Sequence, residues 1–99
     1  MQATIESPIT KFSSIDQYIV STPGICVGRP RINGHRISVF DIAFWRLKLG
    51  MALEEIAGEY DLPLAAVYAS MAYYYDHRQE IDDRAKQDQL FAEEFQKKN

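Results

Sequence analysis

Residues 28–39 constrain the fold more than any other stretch, because they combine a turn, a cationic cluster and a helix start. The Asn33-Gly34 pair predicts a tight hairpin turn with positive φ at both central positions, which asparagine and glycine tolerate. Ser38 directly precedes an apolar run, so its hydroxyl is expected to cap a helix by accepting a backbone N–H. The sequence therefore predicts a β ribbon that leads into a helical region.

Short β-favouring runs lie on both sides of this turn. We expect brief strands at 18–20, 25–27, 31–32 and 36–37, with turn residues between the first two. The mixed segment that precedes them could add a short strand or an ordered arm through Ile5, Ile9 and Phe12. A ribbon of this size is barely stable alone in water, so it is expected to pack on the helices or on a second copy.

Helical periodicity dominates the rest of the chain. It predicts helices over about 39–49, 53–60, 63–75 and 79–97. Gly50 is a natural left-handed stop for the first of them, and Pro63 is well placed as the first residue of the third. The last helix carries few apolar residues, so we expect it to lie against something else.

The second and third predicted helices are joined by a tight turn with the spacing of a helix-turn-helix. Apolar or small residues stand at the positions that such a motif requires: Ile56, Ala57, Tyr60, Leu62 and Val67. Any pair of short packed helices can show this spacing, and that simpler interpretation stays open. The predicted fold is mainly α: a three-helix, homeodomain-like helix-turn-helix bundle, preceded by a short β ribbon and followed by a C-terminal helix.

The length of 99 residues predicts one domain. We expect an arm and ribbon at 1–38, a three-helix core at 39–76 and a helical tail at 77–99. Cys26 is the only cysteine, so no intrachain disulfide forms and a reducing cytoplasm is expected. No signal peptide and no apolar run long enough for a bilayer is found, so no membrane association is expected.

The formal net charge of −3 argues against a protein that coats nucleic acid generally, because such proteins are usually strongly basic. Positive charge is nevertheless concentrated at the hairpin, because residues 1–39 carry four Lys or Arg against two Asp or Glu. Arg29, Arg31 and Arg36 supply most of it, and His35 can add to it at lower pH.

The run 23–39, PGICVGRPRINGHRISV, resembles the family called domain of unknown function 433. That family is marked by G-(K/R)-P-x-I-x-G-(T/H)-R-I-x-V ahead of a small helical bundle. Further matching residues are Leu49-Gly50, Glu54-Glu55-Ile56 and Tyr60-Asp61-Leu62, so the resemblance covers about 18–75. It implies a homeodomain-like DNA-binding fold in small prokaryotic proteins. Some members look like antitoxins whose toxin is a PIN-like ribonuclease.

The chain departs from the usual family pattern where Ser or Thr caps are expected before two helices. Met51 or Ala52 precedes the second predicted helix, and Pro63 precedes the body of the third. Each helix is expected to lose about 1 kcal/mol of capping support, although Pro63 partly compensates through its fixed φ.

Base readout by the third predicted helix has little support in its side chains. A recognition helix usually reads bases with Arg, Lys, Asn or Gln, and the segment 63–70 has none of these. Only Tyr68 and Ser70 could offer a hydroxyl there, while Glu59 and Asp61 would repel phosphates. The better candidates for nucleic-acid contacts are therefore Arg29, Arg31, His35 and Arg36, as phosphate clamps or on a ribbon in a groove. Alternatively, these arginines brace the hairpin through carboxylates such as Asp41 or Asp16.

The first predicted helix is apolar on almost every side, which is typical of a helix buried on more than one face. We expect one face to meet the domain core and another to meet a second copy. Phe44, Trp45 and Tyr73 are the predicted dimer interface.

No catalytic or metal-binding signature is found, and we expect neither enzymatic activity nor a cofactor. Cys26 with His35 lacks an orienting third group, and the acidic residues around His77 match no ligand spacing. Two functional hypotheses remain. In the first, the chain is a dimeric DNA-binding regulator, for which the family resemblance implies the antitoxin role in a pair with a PIN-like ribonuclease toxin. Alternatively, it is a protein-interaction module that dimerises through its helices and does not bind DNA.

Overall fold

The computed structural model describes residues 14–97 of the chain. Within them it has five helices, which make it mainly helical, and one sheet of two short antiparallel strands. The elements in chain order are α1 (Ser14–Tyr18), β1 (Ile19–Val20), β2 (Arg31–Ile32), α2 (Val39–Leu47), α3 (Leu53–Tyr60), α4 (Leu64–Asp76) and α5 (Arg78–Lys97). The mainly α class with a short ribbon is confirmed, and the homeodomain-like assignment stays a prediction. The arm predicted at Ile5, Ile9 and Phe12 lies outside the described residues.

Helix α4 lies at the centre of the fold, because it packs on each of the other four helices and on both strands. Its inner side is buried at Ala66, Val67, Ser70, Met71 and Tyr74. The side chains that meet it are fully buried as well: Ile32 of β2, Val39 and Ile42 of α2, and Ile56 of α3. The ribbon is therefore stabilised by the helical core, as a two-stranded element of this size requires.

The hairpin turn forms at the predicted place with a different geometry. The N–H of His35 donates to the carbonyl oxygen of Ile32 at 3.0 Å, and Gly34 has a φ of +85°. Asn33 does not have a positive φ, so the prediction of two left-handed residues was wrong. A positive φ at the second central position alone is the pattern of a type II turn, which needs glycine only there. The N–H of Asn33 donates instead to the carbonyl of Tyr18 at 2.8 Å.

The prediction of a strand at 25–27 was also wrong. Cys26–Gly28 instead forms a single left-handed turn, in which Cys26 has a φ of 52° and Val27 a φ of 56°. Contacts from distant segments accompany this conformation, because Arg84 donates to the carbonyl of Val27 and the Cys26 thiol donates to the carbonyl of Arg36. The structure has no strand at 36–37, where one was predicted. A single antiparallel bridge between Arg31 and Ser38 lies directly after these residues.

The predicted cap of α2 is confirmed. The N–H of Asp41 donates to Ser38 Oγ at 3.1 Å, and the N–H of Ser38 donates to the Asp41 carboxylate at 3.0 Å. This reciprocal pair satisfies two otherwise unpaired donors and positions the helix directly after the hairpin. Helix α2 ends at Leu47, two residues before the predicted end, and Gly50 has the expected left-handed φ, +75°.

The break between α3 and α4 falls where it was predicted, with Asp61 in the left-handed region at a φ of 54°. Pro63 is the residue before α4 and not its first residue, which corrects the predicted start. Ala52 has no side-chain acceptor, as expected. The Glu55 carboxylate still accepts the Ala52 N–H at 3.2 Å, which supplies half of a capping box.

Candidate functional site

Arg29 and α5 are joined by an ion pair. The loop before β2 places the Arg29 guanidinium against the carboxylate of Asp88, and the Nε of Arg84 lies 3.9 Å from the same carboxylate. The predicted nucleic-acid contact of Arg29 therefore has an intramolecular competitor, because its charge already has a partner in the fold.

Arg31 is buried inside the hairpin. Its guanidinium donates to the carbonyl of His35 at 3.0 Å, to the Thr22 hydroxyl at 3.0 Å and to the carbonyl of Ile32 at 3.3 Å. Only 8% of the residue is exposed. This arginine braces the hairpin from within, as the alternative interpretation expected, although its partners are carbonyl and hydroxyl oxygens in place of carboxylates. Its burial takes it away from any phosphate at the surface.

His35 closes the hairpin turn, and Arg36 follows it. The Arg36 side chain is exposed, and no hydrogen bond or ion pair of its guanidinium is found within residues 14–97. His35 is half-buried. Of the three arginines in the hairpin region, Arg36 alone among the described residues has a guanidinium free to meet a ligand.

The two hydroxyls predicted on α4 lie on opposite sides of the helix. Ser70 is completely buried, and its Oγ donates to the carbonyl of Ala66 at 2.8 Å. Its burial removes this hydroxyl from any surface contact. Tyr68 is exposed, and its hydroxyl donates to the Glu54 carboxylate at 2.8 Å. This hydrogen bond holds the pKa of Glu54 below its ordinary value and raises the pKa of Tyr68.

An apolar stripe runs along the outward face of α4. We call it the outer stripe, and its exposed members recur every three or four residues: Leu64, Tyr68, Ala72 and Tyr75. Three of the four are large apolar or aromatic side chains, and α4 contains no Lys, Arg, Asn or Gln. Of these four, only Tyr68 was predicted from the sequence as a site residue, through its hydroxyl. The signal for the stripe was the two-residue offset of Tyr68 and Ala72 from Ser70, because residues two apart on a helix do not share a face.

The three residues of the predicted dimer interface lie in different surroundings. Trp45 stacks on Tyr60 of α3, with ring centroids 4.2 Å apart and planes 6° from parallel. Tyr73 stacks on His77 at 4.0 Å and lines a small cavity of about 60 Å³. Phe44 is exposed on α2. The structure therefore does not bring Phe44, Trp45 and Tyr73 together as one patch, and their role in a dimer stays a prediction.

Phe44 faces an open groove of about 870 Å³ between α2 and α5, which we call the α2–α5 groove. Apolar residues of α2 line it: Phe40, Ala43, Phe44 and Leu47. Its charged lining is mostly cationic and includes Lys48, Arg78 and Lys86, with Asp82 and the ion-paired Asp88. The groove thus combines an apolar wall with a cationic rim.

Two other kinds of feature, a metal cluster and a membrane-spanning helix, are not found among the described residues. Residues 14–97 contain no cluster of three or more His, Cys, Asp or Glu side chains that could hold a metal ion. No helix in the same part of the chain is both long and apolar enough to cross a membrane.

Comparisons with known proteins identify the family but assign no function to the candidate site. The profile of the family described as "Protein of unknown function (DUF433)" matches residues 19–74. The crystal structure, at 2.00 Å resolution, of a DUF433 member protein from Anabaena variabilis ATCC 29413 is similar, with 30% sequence identity and a TM-score of 0.64. The similarity covers 71% of this chain and 69% of that chain. A comparison with curated proteins gives no match. The predicted family resemblance is confirmed.

Proposed function

The chain belongs to the DUF433 family, and we propose that it is a protein-interaction module that binds a partner protein through the outer stripe of α4. One observation carries the proposal: the outward face of the central helix is apolar and aromatic from Leu64 to Tyr75. Exposed aromatic side chains close together are typical of protein interfaces, where tyrosine is enriched. Leu64, Tyr68 and Tyr75 are all exposed, so binding would bury them without any rearrangement of the core.

The charge around the outer stripe supports a protein partner over DNA. Glu54, Asp61 and Asp76 lie beside it, at the start of α3 and at the two ends of α4. In a helix-turn-helix, α4 would be the helix that enters the major groove, where carboxylates repel phosphates and bases are read mainly by Arg, Lys, Asn or Gln. The outer stripe favours a partner whose apolar patch is bordered by Lys or Arg.

The ribonuclease toxin of a toxin–antitoxin pair, which the family resemblance implies for some members, would be one such partner. This version of the proposal makes the chain an antitoxin that acts by occluding a protein. It directs the first experiment to the product of the neighbouring gene.

The test is co-expression with that gene product. We expect it to co-purify with the wild-type chain, and the double variant Leu64→Ser, Tyr68→Ser to lose at least tenfold in affinity. Leu49→Ser is the matched control, because Leu49 is an even more exposed leucine outside α4. Equal binding by the double variant, with an unchanged circular dichroism spectrum, would refute the role of the outer stripe.

DNA binding is the second candidate, and the exposed guanidinium of Arg36 is the observation that favours it. A second copy would double this charge, so a dimer could bind where a monomer does not. The test is a mobility shift at low salt with DNA from upstream of the gene, using wild type, Arg36→Ala and the charge control Lys97→Ala. Loss of one phosphate contact weakens DNA binding and reduces its salt dependence. A mobility shift that is lost in Arg36→Ala but kept in Lys97→Ala would therefore overturn the proposal that the chain binds a protein and not DNA.

The proposal includes a homodimer. Phe44 and Leu47 of α2 are exposed apolar residues that line the α2–α5 groove, and the outer stripe does not contribute to that groove. A small domain that leaves such residues open gains stability when a second copy covers them.

A further inference from the structure

We infer that the α2–α5 groove binds the C-terminal end of α5 from a second copy of the chain, so that two α5 helices lie antiparallel. This inference rests on the homodimer included in the proposed function, and it names the interface. In a two-fold symmetric dimer each groove would receive the helix end of the other copy, which makes the contact reciprocal.

The end of α5 is unusually open for a helix that carries large apolar residues. Asp88 holds the helix to the loop through Arg29, but every residue from 89 to 97 is exposed. Leu90 is 56% exposed and Phe91 is 72% exposed. A helix end of this kind gains free energy when its apolar side chains are removed from water.

The apolar wall of the groove is as long as the helix end. Residues 89–97 are as many as the residues of α2, whose apolar side lines the groove. At a rise of 1.5 Å per residue both segments are about 13 Å long. Phe40, Phe44 and Leu47 therefore offer an apolar wall along the whole length of the incoming helix end.

The charges are complementary as well. Glu94 lies one helical turn from both Leu90 and Phe91, so an acidic group accompanies the apolar pair on one face. The groove that would receive this face has Lys48 and Lys86 among its lining residues. Opposite charges on the two surfaces favour this pairing. A second copy supplies this apolar and acidic helix end without the need for any other protein.

The first experiment measures the oligomeric state of the full chain by sedimentation equilibrium. We expect a dimer whose dissociation constant rises at least tenfold in Leu90→Ser, Phe91→Ser and in Phe44→Ser. Leu64→Ser is the matched control and is expected to leave the dimer unchanged, because Leu64 belongs to the outer stripe. Circular dichroism of each variant distinguishes dissociation from unfolding.

The second experiment locates the contact. Copies labelled with ¹⁴N and ¹⁵N are mixed and treated with a zero-length carbodiimide, which joins carboxylates to nearby amines. We expect mixed-isotope peptides that link Glu93 or Glu94 to Lys48 or Lys86, and their loss in Glu93→Gln, Glu94→Gln. Such links arise only between copies, so contacts within one chain cannot produce them.

The results of the two experiments distinguish a failure of the proposed homodimer from a failure of the inferred interface alone. A chain that stays monomeric at all concentrations overturns both the homodimer and its interface. A dimer that survives the α5 substitutions and gives no mixed-isotope link overturns the interface alone. Dissociation by the α5 and Phe44 substitutions, together with the mixed links, establishes the inferred contact.

Discussion

Arg29 contacts Asp88 across 59 positions of the chain, and this ion pair attaches the loop before the hairpin to the middle of α5. A second contact runs in the opposite direction, because Arg84 of α5 donates to the carbonyl of Val27 in the same loop. The first half of α5 is thereby held against the body of the protein, whereas its second half extends beyond these contacts.

We expect the Arg29–Asp88 pair to contribute more to the attachment of α5 than to overall stability. The two side chains are 32% and 43% exposed, so solvent screens the pair, and exposed ion pairs contribute at most about 1 kcal/mol. A double-mutant cycle with Arg29→Ala and Asp88→Ala measures this coupling by urea denaturation. Hydrogen exchange of α5 amides should accelerate in both single variants. Unchanged exchange would mean that the pair does not restrain the helix.

Arg31 is expected to contribute far more to stability than Arg36. Replacing Arg31 by Met leaves the His35 carbonyl and the Thr22 hydroxyl without their donor inside the hairpin, which costs about 1–3 kcal/mol. Arg36→Met changes an exposed side chain in the same segment and should stay within about 0.5 kcal/mol. Urea denaturation of both variants provides the comparison. Equal effects would contradict the bracing role of Arg31.

The capping box of α2 gives a third prediction. Ser38→Ala removes the Oγ that accepts the Asp41 N–H and should lower the free energy of unfolding by about 1 kcal/mol. Ser38→Asn is the control, because an asparagine side chain can accept the same N–H. Thermal denaturation followed by circular dichroism measures both. A loss of similar size in the two variants would point to packing and not to the cap.

Tyr74 makes stability depend on pH in the alkaline range. Burial and a hydrogen bond to Asp82 raise its pKa above the ordinary value of 10.0, so the native state keeps the phenol proton longer than the unfolded state. The stabilisation is complete below pH 10 and is lost as the pH rises through the native pKa.

The variant Tyr74→Phe should therefore show a smaller fall in urea midpoint between pH 9 and pH 11 than the wild type. Part of the fall should persist, because burial also raises the pKa of Tyr73. Tyr75→Phe removes an exposed hydroxyl and controls for the loss of one tyrosine. An equal fall in wild type and Tyr74→Phe would contradict this assignment.

The features that sequence reasoning predicted correctly depend on neighbouring residues in the chain. Ser38 and Asp41 form their cap within one turn, and the spacing of apolar residues in α3 defines that helix without reference to the rest of the fold. The break at Pro63 was identified for the same reason, since proline restricts the residue before it.

The features that were missed depend on contacts between distant segments. Cys26 and Val27 favour a strand by their side chains, but they lie in a left-handed turn that Arg84 contacts from α5. The burial of Arg31 likewise depends on Thr22, which reaches it only after β1 and β2 pair. No local pattern distinguishes an arginine of this kind from Arg36.

Helix α4 has a buried and an exposed side: Val67 and Met71 pack in the core, whereas Leu64 and Tyr68 face outward. Substitutions on the outward side leave the packed interior intact, because exposed side chains contribute little to folding. The identity of these outward side chains can therefore change during evolution with little penalty in thermal tolerance. Related chains can thus differ at this surface while keeping the same architecture.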